Sequence, residues 1–154
     1  MAHCVIDSPV GHLRIAEENG AICYLDRAVE EPLRTPDTPV LQEAQRQLAE
    51  YFDGTRREFD LPLHTAGTAF QELCWAALRR IPYGQTISYG QQAKNVGRPK
   101  AVRAVGGANH RNPISILIPC HRVIGASGAL TGYGGGIDMK EWLLRHEQSH
   151  WEGK

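Results

Sequence analysis

The chain has 154 residues, 42% of them hydrophobic, and a formal net charge of zero, which is typical of a soluble globular protein of one or two small domains. The first residues lack the basic stretch and apolar run of a secretory signal, and no later window approaches the roughly 20 apolar residues that span a bilayer. We therefore expect a cytoplasmic protein with no membrane partner.

Three short apolar runs at the start of the chain predict a small antiparallel sheet, with a hairpin turn at Asn19-Gly20. The runs are Cys4–Ile6, Leu13–Ala16 and Ala21–Leu25. After a proline-containing loop, apolar residues between Val40 and Phe52 recur at helical spacing. We predict a small α/β domain over residues 1–66.

Residues 67–154 predict a second domain that is mainly helical. Thr68 and Gln71 have the spacing of a capping box, and apolar residues between Phe70 and Ile81 follow on one helical face. Cys74 lies on this apolar face, so we interpret it as a core residue.

Two short helices separated by a glycine turn predict a helix-turn-helix. Ser88 suggests a capped start for the first helix, Gly97 its end, and Pro99 suits the first turn of the second. Small residues surround one long side chain, Arg103, in the second helix. They are Ala101, Ala104, Gly106, Gly107 and Ala108. They permit a close approach either to another helix of the protein or to an outside partner.

Charge is strongly segregated along the chain. Eight basic residues and no acidic residue lie between Glu72 and Asp138, whereas the remaining segments carry nine basic and seventeen acidic residues. The eight are Arg79, Arg80, Lys94, Arg98, Lys100, Arg103, Arg111 and Arg122. Such asymmetry is expected when one face meets phosphates, although a basic surface without a partner is the alternative interpretation.

A buried strand is predicted for Ile114–Ile118, ending at Pro119 immediately before Cys120 and His121. A thiolate is the nucleophilic form of cysteine, and His121 is the candidate base that removes the thiol proton, directly or through a water. Free cysteines and histidines are also common in protein cores, so this pair alone leaves a structural role open.

The glycine-rich loop that follows lacks the pattern of a phosphate-binding loop. Asp138 can cap a last amphipathic helix. Elsewhere, Cys4 and Cys23 have no paired short spacing and match no common zinc pattern with the nearby histidines. We therefore expect neither a disulfide nor a metal site.

Five stretches in the second half of the chain carry a specific resemblance to a known family. They are Asn112-Pro113, Ile116-Leu117-Ile118, Pro119-Cys120-His121-Arg122-Val123, Thr131-Gly132-Tyr133 and Lys140 through Glu147. Together they resemble the O6-alkylguanine-DNA alkyltransferases over about residues 67–147, with weaker similarity at Asp7–Gly11. The resemblance implies an α+β fold, in which a small ribonuclease H-like α/β domain precedes a mainly helical domain with a winged-helix-like helix-turn-helix.

The resemblance also implies a reaction: irreversible, stoichiometric transfer of an alkyl group from O6-alkylguanine, and also O4-alkylthymine, to Cys120. His121 would withdraw the thiol proton through a water, Glu147 would hold and polarise His121, and Asn112 would brace the site. This chemistry requires no metal, nucleotide or other cofactor.

The implied partner is double-stranded DNA, bound through its minor groove by the second helix of the helix-turn-helix, with Arg103 filling the space of a nucleotide rotated out of the stack. Tyr89 would help to rotate the nucleotide, Tyr133 would donate a hydrogen bond to O6, and the carbonyls of Cys120 and Val123 would accept from the exocyclic amine. The residues expected to contact DNA are Arg98, Lys100, Ala101, Arg103, Ala104 and Gly106. We expect a monomer in solution, with clustering on DNA left open, and association with the nucleoid if the source is bacterial.

Two departures from the family pattern concern the alkyl pocket. Gly134 stands where relatives commonly have serine or alanine, which would widen the pocket wall, and Ser115 stands where the human-type protein has proline. The rival functions are a lesion sensor of the alkyltransferase-like kind, a thiol hydrolase and a plain helix-turn-helix regulator. The sensor relatives lack the reactive cysteine that this chain keeps, and a regulator would need polar base-reading side chains where this helix has alanine and glycine.

Overall fold

A computed structural model describes residues 1–130 and 136–151 of the chain. The chain divides into two units, Met1–Thr65 and Ala66–Lys154. Every helix among the described residues is too short or too polar to traverse a lipid bilayer. The fold class is the predicted α+β: a three-stranded sheet with one helix in the first unit, and a mainly helical second unit.

The first unit is an antiparallel sheet of β1 (Ala2–Ile6), β2 (Leu13–Glu18) and β3 (Ala21–Arg27), in that order. Asn19 and Gly20 have φ angles of 54° and 82°, which is the left-handed pair that a tight hairpin turn requires. Helix α1 (Pro39–Phe52) follows, with the Thr38 side chain accepting from the Leu41 amide. Leu41, Ala44 and Leu48 of α1 are fully buried in the core of this unit.

The second unit begins with α2 (Ala69–Leu78), whose N-terminus carries the predicted capping box of Thr68 and Gln71. The other helices are α3 (Tyr89–Asn95), α4 (Val102–His110) and α5 (Ile137–Trp151). Two short parallel strands, β4 (Ile87–Ser88) and β5 (Val123–Ile124), join the start of α3 to the segment that follows Arg122. This pairing fixes the helix-turn-helix relative to Cys120.

Helices α3 and α4 form the predicted helix-turn-helix, but α4 begins later than Pro99 suggested. The Ala101 amide bonds to the Arg98 carbonyl at 2.9 Å, so residues 98–101 form a turn and Ala101 is the N-cap. Lys100 and Ala101 therefore precede α4. The core beneath the two helices is apolar and includes the predicted core residue Cys74. Its buried members are Cys74, Ala77, Ala93, Val96, Val105 and Ala108.

Buried polar contacts hold α4 against α2 and α3. Gln92 and Asn109 exchange two amide hydrogen bonds at 3.0 and 2.7 Å, and Gln92 also donates to the Cys74 carbonyl. The Trp75 indole donates to the Ala108 carbonyl at 2.8 Å. Because unmade buried hydrogen bonds are costly, these contacts fix the direction of α4 as well as its burial.

The strand predicted for Ile114–Ile118 is wrong. The segment is buried as expected, but residues 115–117 form a turn in which Ile116 has a φ of 73°. Asn112 causes this shape, because its side chain accepts from the Ile114 amide at 2.9 Å and donates to the Ile118 carbonyl at 2.8 Å. Cys120 consequently does not follow a strand; it opens a 3-10 turn, Cys120–Arg122, which leads into β5.

Helix α5 supplies the last wall of the second unit. It begins at Ile137, so Asp138 lies inside its first turn rather than at the predicted cap. A carboxylate there still interacts favourably with the amide dipoles of the helix start. Met139 and Leu143 are fully buried on its apolar face, and Lys140 and Glu147 of the same helix are also buried.

Candidate active site

Cys120, His121 and Glu147 lie together in the second unit. Cys120 is 8% exposed at the start of the 3-10 turn, whereas His121 and Glu147 are 0% and 1% exposed. The His121 Nε2 and the Glu147 Oε2 atoms are 2.6 Å apart. The other ring nitrogen of His121, Nδ1, is buried and has no hydrogen-bond partner among the described residues. This histidine therefore has one nitrogen committed to a carboxylate and one available to take a proton.

The charges of this pair follow from burial and from its neighbours. Burial, together with the charges of Arg122 and Lys140, lowers the pKa of His121 even though the adjacent Glu147 carboxylate raises it. Burial alone would raise the pKa of Glu147, but His121 and Arg122 together bring that pKa well below its ordinary value. A neutral imidazole next to a charged carboxylate is the state that fits both directions. Nε2 then carries the proton and donates a hydrogen bond to Glu147, which leaves the lone pair of Nδ1 able to accept a proton.

Sequence reasoning missed Arg122 as a site residue and counted it among the basic residues that would face phosphates. Arg122 is buried, and its guanidinium donates to both oxygens of Glu147 at 2.8 and 3.0 Å. The other seven basic residues between Glu72 and Asp138 are exposed. The signal was present in its neighbours, because Arg122 continues an apolar, buried stretch in which a solvent-facing charge would be out of place.

Lys140 is a second residue that sequence reasoning missed. It is 1% exposed, its ammonium donates to the Val123 carbonyl at 2.6 Å, and it lies 5.9 Å from the centre of the Tyr89 ring. Burial lowers the pKa of Lys140, whereas the nearby Cys120 raises it. The Val123 carbonyl, predicted to accept from guanine, is therefore already an acceptor. A carbonyl has two lone pairs, so one remains for a substrate.

Asn112 contacts the site through the backbone that precedes Cys120, by the two hydrogen bonds that shape residues 114–118. Ser115 is buried in the same segment. Tyr89 is half-buried at the first position of α3. Tyr133 and Gly134 lie outside the described residues.

The other cysteines have a different environment. Burial, with a smaller effect of Asp37, raises the pKa of Cys4 to about 11. Burial likewise raises the pKa of Cys74 and of Cys23. Within residues 1–130 and 136–151, no three His, Cys, Asp or Glu side chains are grouped so as to hold a metal ion.

Helix α4 presents small residues outward rather than into the core. Arg103, Ala104 and Gly107 are exposed, and only Ala108 of the small residues within the helix is buried. A Cβ atom added at Gly107 would have no heavy atom within 4 Å among the described residues, and one at Gly106 would meet the Tyr89 ring at 3.8 Å, an ordinary contact. The glycines are therefore not required by packing inside this unit. Arg98 and Lys100 are also exposed, and Ala101 is half-buried.

Two family models match the chain. Residues 1–65 match the ribonuclease-like domain of 6-O-methylguanine DNA methyltransferase, and residues 69–149 match its DNA binding domain. The curated methylated-DNA--protein-cysteine methyltransferase of Methanosarcina acetivorans is 47% identical, over 97% of this chain and 99% of the relative.

Solved structures agree with these matches. The crystal structure of Mycobacterium tuberculosis O6-methylguanine methyltransferase has a TM-score of 0.88 and 48% identity, covering 97% of this chain and 94% of that one. That of Mycobacterium tuberculosis OGT in complex with DNA has a TM-score of 0.86 and 51% identity, covering 95% and 92%. The fold, the site and these similarities agree: the chain belongs to the 6-O-methylguanine DNA methyltransferase family.

Proposed function

We propose that this chain repairs duplex DNA by transferring the alkyl group of O6-alkylguanine, and also of O4-alkylthymine, irreversibly onto Cys120. The observation that carries the proposal is the buried His121–Glu147 pair immediately after Cys120. It is the arrangement that activates a nucleophile through a base whose tautomer is fixed by a carboxylate. The names of the relatives, and the DNA complex of one of them, support the same substrate class.

The proposed reaction begins at the sulfur. The S–H bond of Cys120 breaks and its proton passes through a water to Nδ1 of His121, while the sulfur electron pair forms a bond to the alkyl carbon. The carbon–O6 bond breaks with its electrons on guanine, and the proton held by His121 returns to guanine. The product is a thioether that this site has no means to hydrolyse, so each chain reacts once.

The alkylated base must leave the duplex stack before the sulfur reaches it. We assign Tyr89, at the start of α3, to rotating the nucleotide, and the carbonyls of Cys120 and Val123 to accepting from the exocyclic amine. Tyr133 would donate a hydrogen bond to O6, and Gly134 would widen the wall of the alkyl pocket. Asn112 would keep the backbone before Cys120 in its bent form.

The outward face of α4 is the proposed DNA-binding surface, entering the minor groove with Arg103 inserted into the vacated stack. Exposed Ala104 and half-buried Gly106 allow the helix axis to approach the groove closely. Arg98, Lys100 and Ala101 precede α4 and would contact the phosphate backbone at its N-terminus. The proposed partner is double-stranded DNA that contains O6-alkylguanine.

Intact-mass measurement tests the function. The protein is incubated with a duplex that carries a single O6-methylguanine, and we expect a gain of one methylene unit per chain, on Cys120. An unmodified duplex is the control and should give no gain. A chain that binds the damaged duplex and gains no mass is a lesion sensor, and modification of another residue would refute the assigned nucleophile.

Arg103→Ala should weaken repair of duplex DNA much more than reaction with a free alkylated base, because only the duplex requires the vacated stack to be filled. On the duplex, we expect the variant to lose about 1–3 kcal/mol of transition-state stabilisation, the scale of one stacking contact. Arg111→Ala, at an exposed arginine just beyond α4, is the matched control. Equal losses on both substrates would argue against the stack-filling role.

Gly107→Leu should block DNA binding without unfolding the protein. Gly107 is exposed, and the Cβ atom of a side chain there meets no heavy atom within 4 Å among the described residues. Replacing a glycine inside a helix should therefore raise the free energy of unfolding by up to about 1 kcal/mol. On the DNA side the added bulk holds α4 away from the groove. Duplex affinity and urea denaturation measure the two effects, with Ala49→Leu on the exposed face of α1 as the control. Unchanged affinity would exclude Gly107 from the interface.

A further inference from the structure

Arg122 is a buried arginine that contacts the His121–Glu147 pair. Its Nε and one terminal nitrogen donate to the two Glu147 oxygens at 2.8 and 3.0 Å. Its other terminal nitrogen donates to the Ile81 carbonyl at 2.7 Å, and its guanidinium carbon lies 5.7 Å from the centre of the Tyr83 ring. The side chain is therefore held on three sides.

A buried ion pair gives little stability beyond that of well-packed apolar side chains of the same volume. Packing alone would not require an arginine at position 122. Its contacts suggest another role, because the donors of Arg122 are directed at the carboxylate that accepts from the proposed base.

We propose that Arg122 is a positioning residue for alkyl transfer: it fixes the Glu147 carboxylate so that His121 keeps its proton on Nε2 and offers Nδ1 to the Cys120 side. The proposal rests on the proposed function, since it assigns Arg122 a part in that reaction.

The hydrogen-bond pattern at Glu147 supports this role. Oε1 accepts from Arg122 Nε and, at 3.4 Å, from the Gly84 amide; Oε2 accepts from His121 and from the second Arg122 nitrogen. Rotating the carboxylate would break two charge-assisted bonds of fixed fork geometry. A carboxylate saturated by donors stays ionised, and an ionised carboxylate next to Nε2 requires the proton on that nitrogen.

The same charge affects how readily His121 binds a proton. The charged groups that act on His121 are Glu147 and Lys140 from α5 and Arg122 from the 3-10 turn. Burial, Arg122 and Lys140 lower the pKa of His121, and Glu147 raises it. Removing the Arg122 charge therefore raises that pKa, and His121 then remains protonated, and unable to accept a proton, up to a higher pH.

Two substitutions at Arg122 distinguish its effect on the position of Glu147 from the effect of its charge on His121. Single-turnover transfer from an O6-methylguanine duplex is measured with saturating protein between about pH 5 and pH 9. Arg122→Gln should lower the plateau rate by about 10- to 100-fold, the scale seen when a residue that orients a metal-ligating histidine is lost. It should also move the acid limb of the pH–rate profile to higher pH. Arg122→Lys keeps the positive charge but loses the two guanidinium nitrogens that donate to both Glu147 oxygens. Its plateau rate should therefore fall, while the acid limb of its pH–rate profile stays close to that of the wild type.

A double-mutant cycle with Glu147→Gln completes the test. The double variant, Arg122→Gln with Glu147→Gln, removes both charges and so leaves neither one buried without its partner. If Arg122 acts through Glu147, Arg122→Gln should cause little further loss in the Glu147→Gln background. Far-UV circular dichroism and duplex affinity establish that each variant is folded, and Arg46→Gln, at an exposed arginine of α1, is the control. Equal losses in both backgrounds, or an unmoved acid limb in folded Arg122→Gln, would overturn the proposal. Absence of transfer by the wild type would instead overturn the proposed function.

Discussion

Cys120→Ser is expected to lose all measurable alkyl transfer while it binds duplex DNA as tightly as the wild type. A serine hydroxyl is a far weaker acid than a thiol, so a histidine base cannot produce its anion at neutral pH. Binding should persist because the proposed contacts with DNA lie on and just before α4, whereas Cys120 is 8% exposed in the 3-10 turn. Intact mass measures transfer, and titration of an O6-methylguanine duplex measures binding.

Cys23→Ser is the matched control for this experiment. Cys23 lies in the first unit and is half-buried, and burial raises the pKa of its thiol. We expect this variant to gain the full methylene unit on Cys120. A mass gain that persists in Cys120→Ser, or one that disappears in Cys23→Ser, would contradict the assignment of the acceptor sulfur.

Local sequence rules predicted the elements whose shape is determined locally. The Asn19-Gly20 turn and the capping box of Thr68 and Gln71 were confirmed, because a turn and a cap depend on residues no more than a few positions apart. The segment Ile114–Ile118 was misread for a related reason. Its apolar residues predicted burial correctly, but apolarity does not specify a backbone conformation, and the bent form depends on a polar side chain at Asn112.

The candidate site was predicted in part. The Cys-His-Glu set came from a family resemblance, since no periodicity connects His121 with Glu147, 26 positions away. Counting charges along the chain detected a basic segment but could not distinguish an exposed arginine from a buried one. Arg122 belongs to that segment and yet faces Glu147. Lys140 was missed similarly, because a lysine on an amphipathic helix is normally assigned to solvent.

Glu147→Gln is expected to reduce the rate of transfer by up to about 10⁴-fold, the effect of neutralising the carboxylate of a hydrolase triad. The amide retains the shape of the side chain but can donate to Nε2 of His121, which favours the tautomer with the proton on Nδ1. That tautomer cannot accept the Cys120 proton. A mass-gain time course measures the rate, and duplex affinity should stay unchanged.

Glu147→Ala should also destabilise the second unit, by about 3–5 kcal/mol, because it leaves the buried Arg122 charge without its partner. Exposed Glu141→Ala on the same helix is the control and should change the free energy of unfolding by less than about 1 kcal/mol. Urea denaturation at neutral pH provides the comparison. Similar stabilities of the two variants would mean that the Arg122–Glu147 contacts contribute little to the fold.

The effect of Glu147 on stability should depend on pH in a defined direction. Folding lowers the pKa of Glu147, so the unfolded chain binds this proton more readily than the folded one. The stabilisation is therefore complete above the unfolded pKa of about 4.3 and declines as the pH falls toward the folded pKa. The lowered pKa of His121 acts in the same direction, beginning below about pH 6.5. A His121→Gln background removes the titration of His121 from this comparison, while Arg122 still lowers the pKa of Glu147. In that background, the unfolding free energy lost through Glu147→Gln should be constant from about pH 7 upward and shrink below about pH 4. A loss that grows on acidification would show that Glu147 is not a buried anion.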